Sequence, residues 1–144
     1  MNRNSFFSLF FLLVFMSQTT LLWAQEPDDI ALDTDEFQIF FYESLKQKGI
    51  ENYDKAITAL NRCEKLEPSN PVVFFELGKN YLFQKDYINA YTNFEKATQL
   101  DPTNRWYWAG LYDVSYARQD YENAIIYLQK LITFKKEYKE ELVT

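Results

Sequence analysis

The sequence predicts an all-α fold of about three tandem helix-turn-helix hairpins, on three observations. First, the chain repeats itself: Tyr53, Tyr87 and Tyr121 lie 34 residues apart, and so do Ala56, Ala90 and Ala124. The helix-starting polar residues Asn52, Asp86 and Asp120 keep that interval, as do Pro68 with Pro102 and Asn70 with Asn104. A fixed period of this size indicates a stacked helical array. Second, large and small apolar residues recur within each period at helical spacing. Third, the 144 residues include only 3 glycines and 4 prolines, and Pro68, Pro71 and Pro102 fall in connections or at a helix start. Proline is tolerated there because its missing N–H leaves no helical hydrogen bond unmade. Almost no strand is expected.

The first unit, about 35–70, matches from Tyr53 through Ala56, Leu60, Cys63 and Pro68. Its Gly49-Ile50-Glu51-Asn52 turn reads as two residues longer than the later turns, so its first helix aligns as Phe41, Tyr42 and Leu45 after that shift. The second unit, 71–104, opens with Asn70 as cap and Pro71 at the first helical position. It carries Phe74, Leu77, Gly78 and Tyr81, breaks at Lys85-Asp86, and continues as Tyr87, Ala90, Phe94 and Ala97 up to Asp101-Pro102. Gly78, Ala90 and Ala97 leave room for close helix approach, and aromatic rings fill the space between hairpins. The third unit, 105–138, starts at the Asn104 cap and carries Trp108, Leu111, Tyr121, Ala124, Leu128 and Leu131, with Asp120 capping its second helix. It has Tyr112 where the second unit has Gly78, and Lys136 where the others have Pro68 and Pro102. Lys139 to Thr144 reads as the start of a further helix or a C-terminal stub, with Leu142 at the place of Phe74 and Trp108. A stub of that length leaves Leu131 and Phe134 as an exposed edge, which implies a longer repeat protein, docking on a partner, or self-association through the third repeat.

Residues 1–24 read as a secretory signal peptide: Arg3 near the start, an apolar core from Phe6 to Met16, then Ser17 to Thr20 and a cleavage site after Ala24. The chain is therefore expected to be exported, to the periplasm or outer membrane of a Gram-negative cell. Membrane contact is expected only if Phe6 to Ala24 stays on as an uncleaved anchor. Residues 25–36 form an acidic linker with Glu26, Asp28, Asp29, Asp33, Asp35 and Glu36; it lacks the glycine-bearing calcium-loop pattern, so no metal is assigned to it.

The pattern of Phe74, Leu77, Gly78, Tyr81, Ala90, Phe94, Ala97 and Pro102 resembles the tetratricopeptide repeat. The resemblance covers about 35–138 and implies a right-handed α-solenoid that binds other proteins. In such arrays the first helix of each unit lines a concave groove. Carried over residue by residue, the groove holds Ile39, Phe40 and Glu43 in the first unit. The second unit supplies Val72, Phe75, Glu76, Lys79 and Phe83, and the third Trp106, Ala109, Asp113 and Tyr116. The family's carboxylate clamp needs lysine, asparagine and arginine at positions that here hold Ile39, Glu43, Glu76, Trp106 and Gly110, so clamp recognition of a C-terminal carboxylate is not implied. An amphipathic helix or extended peptide burying apolar side chains, with basic residues facing Glu43, Glu76 and Asp113, fits better. The alternative for Val72, Phe75 and Trp106 is packing against adjacent repeats or against Ile30 to Leu32.

Composition narrows the chemistry further. The net charge of −6 becomes −7 once Arg3 leaves with the signal segment, 14 basic against 21 acidic residues, which disfavours nucleic acid or an anionic surface as partner. There is no histidine, and the single Cys63 sits at the register position of Ala97 and Leu131, where a thiol acts as a small apolar side chain. With no nucleophile motif and no phosphate loop, no enzyme and no cofactor are expected. The expected function is a non-enzymatic scaffold of the cell envelope. The alternative is an N-terminal sensor piece of a longer envelope signalling protein.

Overall fold

The computed structural model describes residues 35–141, with side chains through Lys135. Six helices follow in order: α1 (Glu36–Gly49), α2 (Tyr53–Leu66), α3 (Pro71–Phe83), α4 (Tyr87–Leu100), α5 (Arg105–Ala117) and α6 (Tyr121–Glu141), with no strand among the described residues. Each pair α1–α2, α3–α4 and α5–α6 packs as a hairpin, and each hairpin packs on the next, with α3 also touching α5. This is the all-α stack of three hairpins that the period predicts.

The caps explain why the helices begin where they do. Asn70 and Asn104 accept from the backbone N–H of Val72 and Trp106, and Asp86 and Asp120 accept from Asn89 and Asn123. Each satisfies an amide that would otherwise lack a partner at a helix start. Asn52 occupies the cap position of α2 but makes no capping bond. Asp35, placed by sequence in the acidic linker, caps α1 by accepting from Phe37 N–H at 3.0 Å, and Glu36 starts the helix. The rest of the linker and the signal segment lie outside the described residues.

The turns correct the sequence-based alignment of the first unit. Glu51, Lys85 and Gln119 all have φ near +60°. In each case the next residue's N–H reaches back five residues: Asn52 to Gln47, Asp86 to Tyr81, Asp120 to Ser115. These are three copies of one Schellman turn. The first turn is therefore no longer than the others, and the 34-residue register runs back through α1 without a shift. Ser44, not Leu45, takes the place of Gly78, and Ser44 is buried. Phe40 and Glu43 take the places of Phe74 and Leu77, while Tyr42 is 67% exposed.

Two packed clusters fill the hairpins. One gathers Ile57, Leu60, Cys63, Val73, Phe74, Leu77, Ala97 and Tyr107; the other Ala90, Phe94, Leu111 and Val114; Phe75 and Tyr81 border both. Phe94 explains the glycines. A Cβ on Gly78 would lie 2.7 Å from its ring and one on Gly110 2.5 Å from it, so the two backbones grip the same ring edge. The third unit does not repeat this pairing: Tyr112 stands at the Gly78 position and Leu128 at the Phe94 position. Cys63 is fully buried, its Sγ 3.7 Å from the Phe37 carbonyl oxygen, and burial pushes its thiol pKa up, so this thiol is not an activated nucleophile.

The end of the third unit also differs from expectation. α6 runs unbroken for 21 residues to Glu141, so Lys139 does not open a separate helix. The reason lies at Lys136, which stands where Pro68 and Pro102 follow the ends of α2 and α4. Lys135-Lys136-Glu137 contains only good helix formers and gives the helix no stop. Residues 142–144 lie outside the described residues.

Candidate functional site

α3 and α5 lie side by side on the inner face of the stack, with α4 behind them. Between them opens a slot of about 280 Å³ walled by Phe75, Lys79, Leu82 and Phe83 of α3 and by Trp106, Ala109, Gly110 and Asp113 of α5, with Phe94 of α4 as its floor. The spacing of the wall residues follows from the helical period: Phe75, Lys79 and Phe83 are four apart and share a face, as do Trp106, Ala109 and Asp113 at intervals of three and four. Gly110 matters twice, because the absence of a side chain both admits the Phe94 ring and keeps the slot open at that point. Phe75 is held by rings on both sides, 5.8 Å from Phe94 and 5.2 Å from Tyr107. Phe83 and Trp106 remain 55% and 58% exposed, so the slot has apolar surface free at its rim.

The structure thus brings Phe75, Lys79, Phe83, Trp106, Ala109 and Asp113 together. Leu82 and Phe94 were not among the sequence candidates; the signal that could have found Phe94 is its position opposite two glycines, which makes it a floor rather than a wall. Val72, 41% exposed, stands outside the slot. Tyr116 also lies outside it, within an aromatic ladder 6.1 Å from Tyr112 and 5.8 Å from Tyr121.

The acidic points fare differently from expectation. Glu76 does not face the groove as a free charge: it is buried and holds Lys48 of α1 at 2.5 Å and Lys79 at 2.9 Å. Glu43 accepts from Gln47 Nε2 at 2.6 Å and lies 3.6 Å from Lys46. That hydrogen bond, with Lys46 nearby, holds its carboxyl below the usual range. Phe40 is half-buried beneath the Arg62 guanidinium, 4.9 Å from its ring, and packs toward the hairpin core, whereas Ile39 is exposed. With the register unshifted, Phe41, Tyr42 and Leu45 are the first-unit counterparts of Phe75, Glu76 and Lys79. They replace Phe40 and Glu43 as its inner-face residues.

Of the three groove acids Glu43, Glu76 and Asp113, Asp113 is the one without a cation at ion-pair distance among the described residues. The side chain is exposed by area, yet its site at the slot excludes enough water for burial to hold its carboxyl above the usual range. A carboxyl whose pKa is raised on folding stabilises the protein below its unfolded pKa, and that contribution is lost as pH rises through the folded one. Asp113→Asn is therefore expected to raise the melting temperature at pH 7, with the difference vanishing below the carboxylate range. Thermal unfolding across pH checks it, and an equal shift at every pH would exclude titration as the cause.

A second cleft, about 440 Å³, lies on the other side of Trp106, bounded by Arg105, Ala109, Leu131, Phe134 and Lys135. It falls between α5 and α6 at the C-terminal end of the stack.

The model of the tetratricopeptide repeat family matches residues 72–104, the span of the second hairpin, whose register the flanking hairpins repeat. Residues 72–104 are a tetratricopeptide repeat, in a stack of three hairpins of one register. Among solved structures, the TPR domain of Sgt2 from Aspergillus fumigatus superposes with a TM-score of 0.67 at 23% identity, covering 72% of this chain and 68% of that one. MamA from Desulfovibrio magneticus RS-1 superposes with a TM-score of 0.69 at 18% identity, over 72% of this chain and 58% of that one. The first TPR of Spaghetti (RPAP3), solved with an HSP90 peptide, gives 0.67 at 17% identity over 80% and 99%. At these identities the likeness is one of fold. A human protein O-mannosyl-transferase, TMTC1, is 28% identical over 99 residues, 64% of this chain, and the chain spans 11% of that protein's length.

Proposed function

We propose that this protein is a non-enzymatic interaction scaffold whose slot between α3 and α5 takes apolar side chains from a partner peptide or helix. The observation that carries the reading is the convergence of Phe75, Phe83 and Trp106 on one open slot while the rings around them are packed away. An apolar cleft with polar groups at its edge is the usual form of a peptide site, and peptide binding by a neighbour of the same fold, the RPAP3 repeat domain, agrees with it. The partner's basic residues would face Asp113, since Glu76 and Glu43 are already engaged within the chain.

The signal-like residues 1–24 support export, and the site of action in this reading is the periplasm or the outer membrane of a Gram-negative cell. Among the described residues no helix is long and apolar enough to cross a membrane. Cell fractionation locates the protein, and recovery in the cytoplasm alone would reject that placement.

Crosslinking in the cell followed by pull-down tests the slot. Trp106→Ala and Phe83→Ala remove exposed rings and are expected to leave the fold intact while weakening capture of the partner by roughly tenfold or more, the scale of an interface hot spot. Capture unchanged in both variants would move the binding surface elsewhere.

A further inference from the structure

We propose that the two end faces of the stack bind each other, so that α1 of a second copy seats on the outer face of α5 and α6 and continues the array head to tail. The two internal junctions supply the template. At the first, Ile57 and Leu60 of α2 pack with Val73, Phe74 and Leu77 of α3. At the second, the register equivalents Tyr91 and Phe94 of α4 meet the third hairpin: Tyr91 Oη lies 2.7 Å from Tyr127 Oη, and the Phe94 ring lies against Gly110. One period further on, the same two positions are Ile125 and Leu128 of α6, 57% and 43% exposed, followed by Ile132 at 59% where the second hairpin has buried Thr98. Positions that form the junction twice within the chain thus hold apolar residues in solvent at its third occurrence.

The cleft beside them shows what is missing. Trp106, Ala109, Leu131 and Phe134 are the equivalents of Val72, Phe75, Ala97 and Leu100. In the preceding junction Tyr107 packs there, 5.2 Å from Phe75 and in the cluster that contains Ala97. The residues that α5 and α3 turn to the hairpin before them are Tyr107 with Gly110 and Val73 with Glu76. Their counterparts in α1 are Ile39 and Tyr42, apolar and aromatic side chains that are 50% and 67% exposed. Charge agrees with this seating. The cleft rim carries Arg105 and Lys135, while α1 begins with Asp35 and Glu36. A second copy of this chain therefore offers in α1 both the register and the opposite charge that the open face requires. The contact is heterologous, one face of each copy meeting the other face of the next, so it leads to an open stack rather than a closed pair.

Sedimentation velocity of the full chain over a range of concentrations tests this. The expected result is a concentration-dependent series of dimer and larger species. Ile39→Glu and Ile125→Glu are expected each to weaken the association by roughly tenfold or more by burying a charge in the contact. An equimolar mixture of the two variants is expected to form a one-to-one dimer and nothing larger, since each variant keeps one working face. Tyr42→Glu and Ile132→Glu serve as second variants of each face, with helicity by circular dichroism as the check on folding. A monomer at every concentration overturns the proposal and gives these faces to another occupant. Association indifferent to the substitutions overturns it, and so does association lost only in Ile125→Glu, which marks a symmetric back-to-back dimer.

Discussion

Phe94→Ala is expected to lower the unfolding free energy by ~3–5 kcal/mol, the range for truncating a buried aromatic ring. Phe94 is 1% exposed and belongs at once to the second core cluster, to the grip between Gly78 and Gly110, and to the floor of the slot. Domains of this size hold roughly 5–15 kcal/mol in total, so such a loss takes a large share, and at about 4–8 °C per kcal/mol the melting temperature is expected to fall by well over 10 °C. The converse substitution tests the same joint from the other side. Gly110→Ala gains ~1 kcal/mol of helix propensity, yet its Cβ would stand 2.5 Å from a ring that Gly78 blocks behind. Overpacking of that kind costs ~1–3 kcal/mol, so the net change is expected to be destabilising. Combining Gly110→Ala with Phe94→Leu is expected to cost less than the sum of the two, because the smaller side chain frees the space the Cβ needs. Urea unfolding of the four proteins measures the cycle. A Gly110→Ala variant at least as stable as the parent would show that the ring can retreat.

The same joint shows how much of the molecule was legible in the sequence. The period gave the hairpins, their order and all four side-chain caps on α3 to α6, because Asn70, Asp86, Asn104 and Asp120 recur where helix starts need acceptors. It did not reveal the first turn. Left-handed φ usually announces itself through glycine or asparagine, but here Glu51, Lys85 and Gln119 adopt it with no common chemistry. Without that marker the adjacent Gly49 drew the boundary away from its place. The error then moved the inner-face assignment in α1 from Phe41, Tyr42 and Leu45 onto Phe40 and Glu43. The slot was legible wherever it depends on helical spacing, as with Phe75, Lys79, Phe83, Trp106 and Asp113. It was not legible where it depends on pairing between helices: nothing in the spacing of Glu76 says that a lysine 28 residues earlier will meet it.

That pairing carries the second large effect. Glu76 and Lys48 side chains are only 10% and 20% exposed, and Lys79 approaches the other carboxylate oxygen of Glu76. Glu76→Ala would leave two ammonium groups facing one another with no counter-ion. Breaking a fully buried pair costs ~3–5 kcal/mol; Lys79 is 33% exposed and can turn to water, so the expected loss is ~2–3 kcal/mol. Removing the charges together is a different matter, since apolar groups of similar volume often replace a buried pair without loss. Glu76→Leu with Lys48→Met is expected to recover most of the stability that Glu76→Ala removes. The two outcomes separate net strength from the mere cost of an orphaned charge. Because Lys48 belongs to α1 and Glu76 to α3, the damage should also be local. Hydrogen exchange of Glu76→Ala is expected to show faster exchange in α1 and α2, with α5 and α6 close to the parent. Uniform acceleration along the whole chain would mean that the three hairpins unfold as one unit, and that the ion pair does not hold the first hairpin on separately.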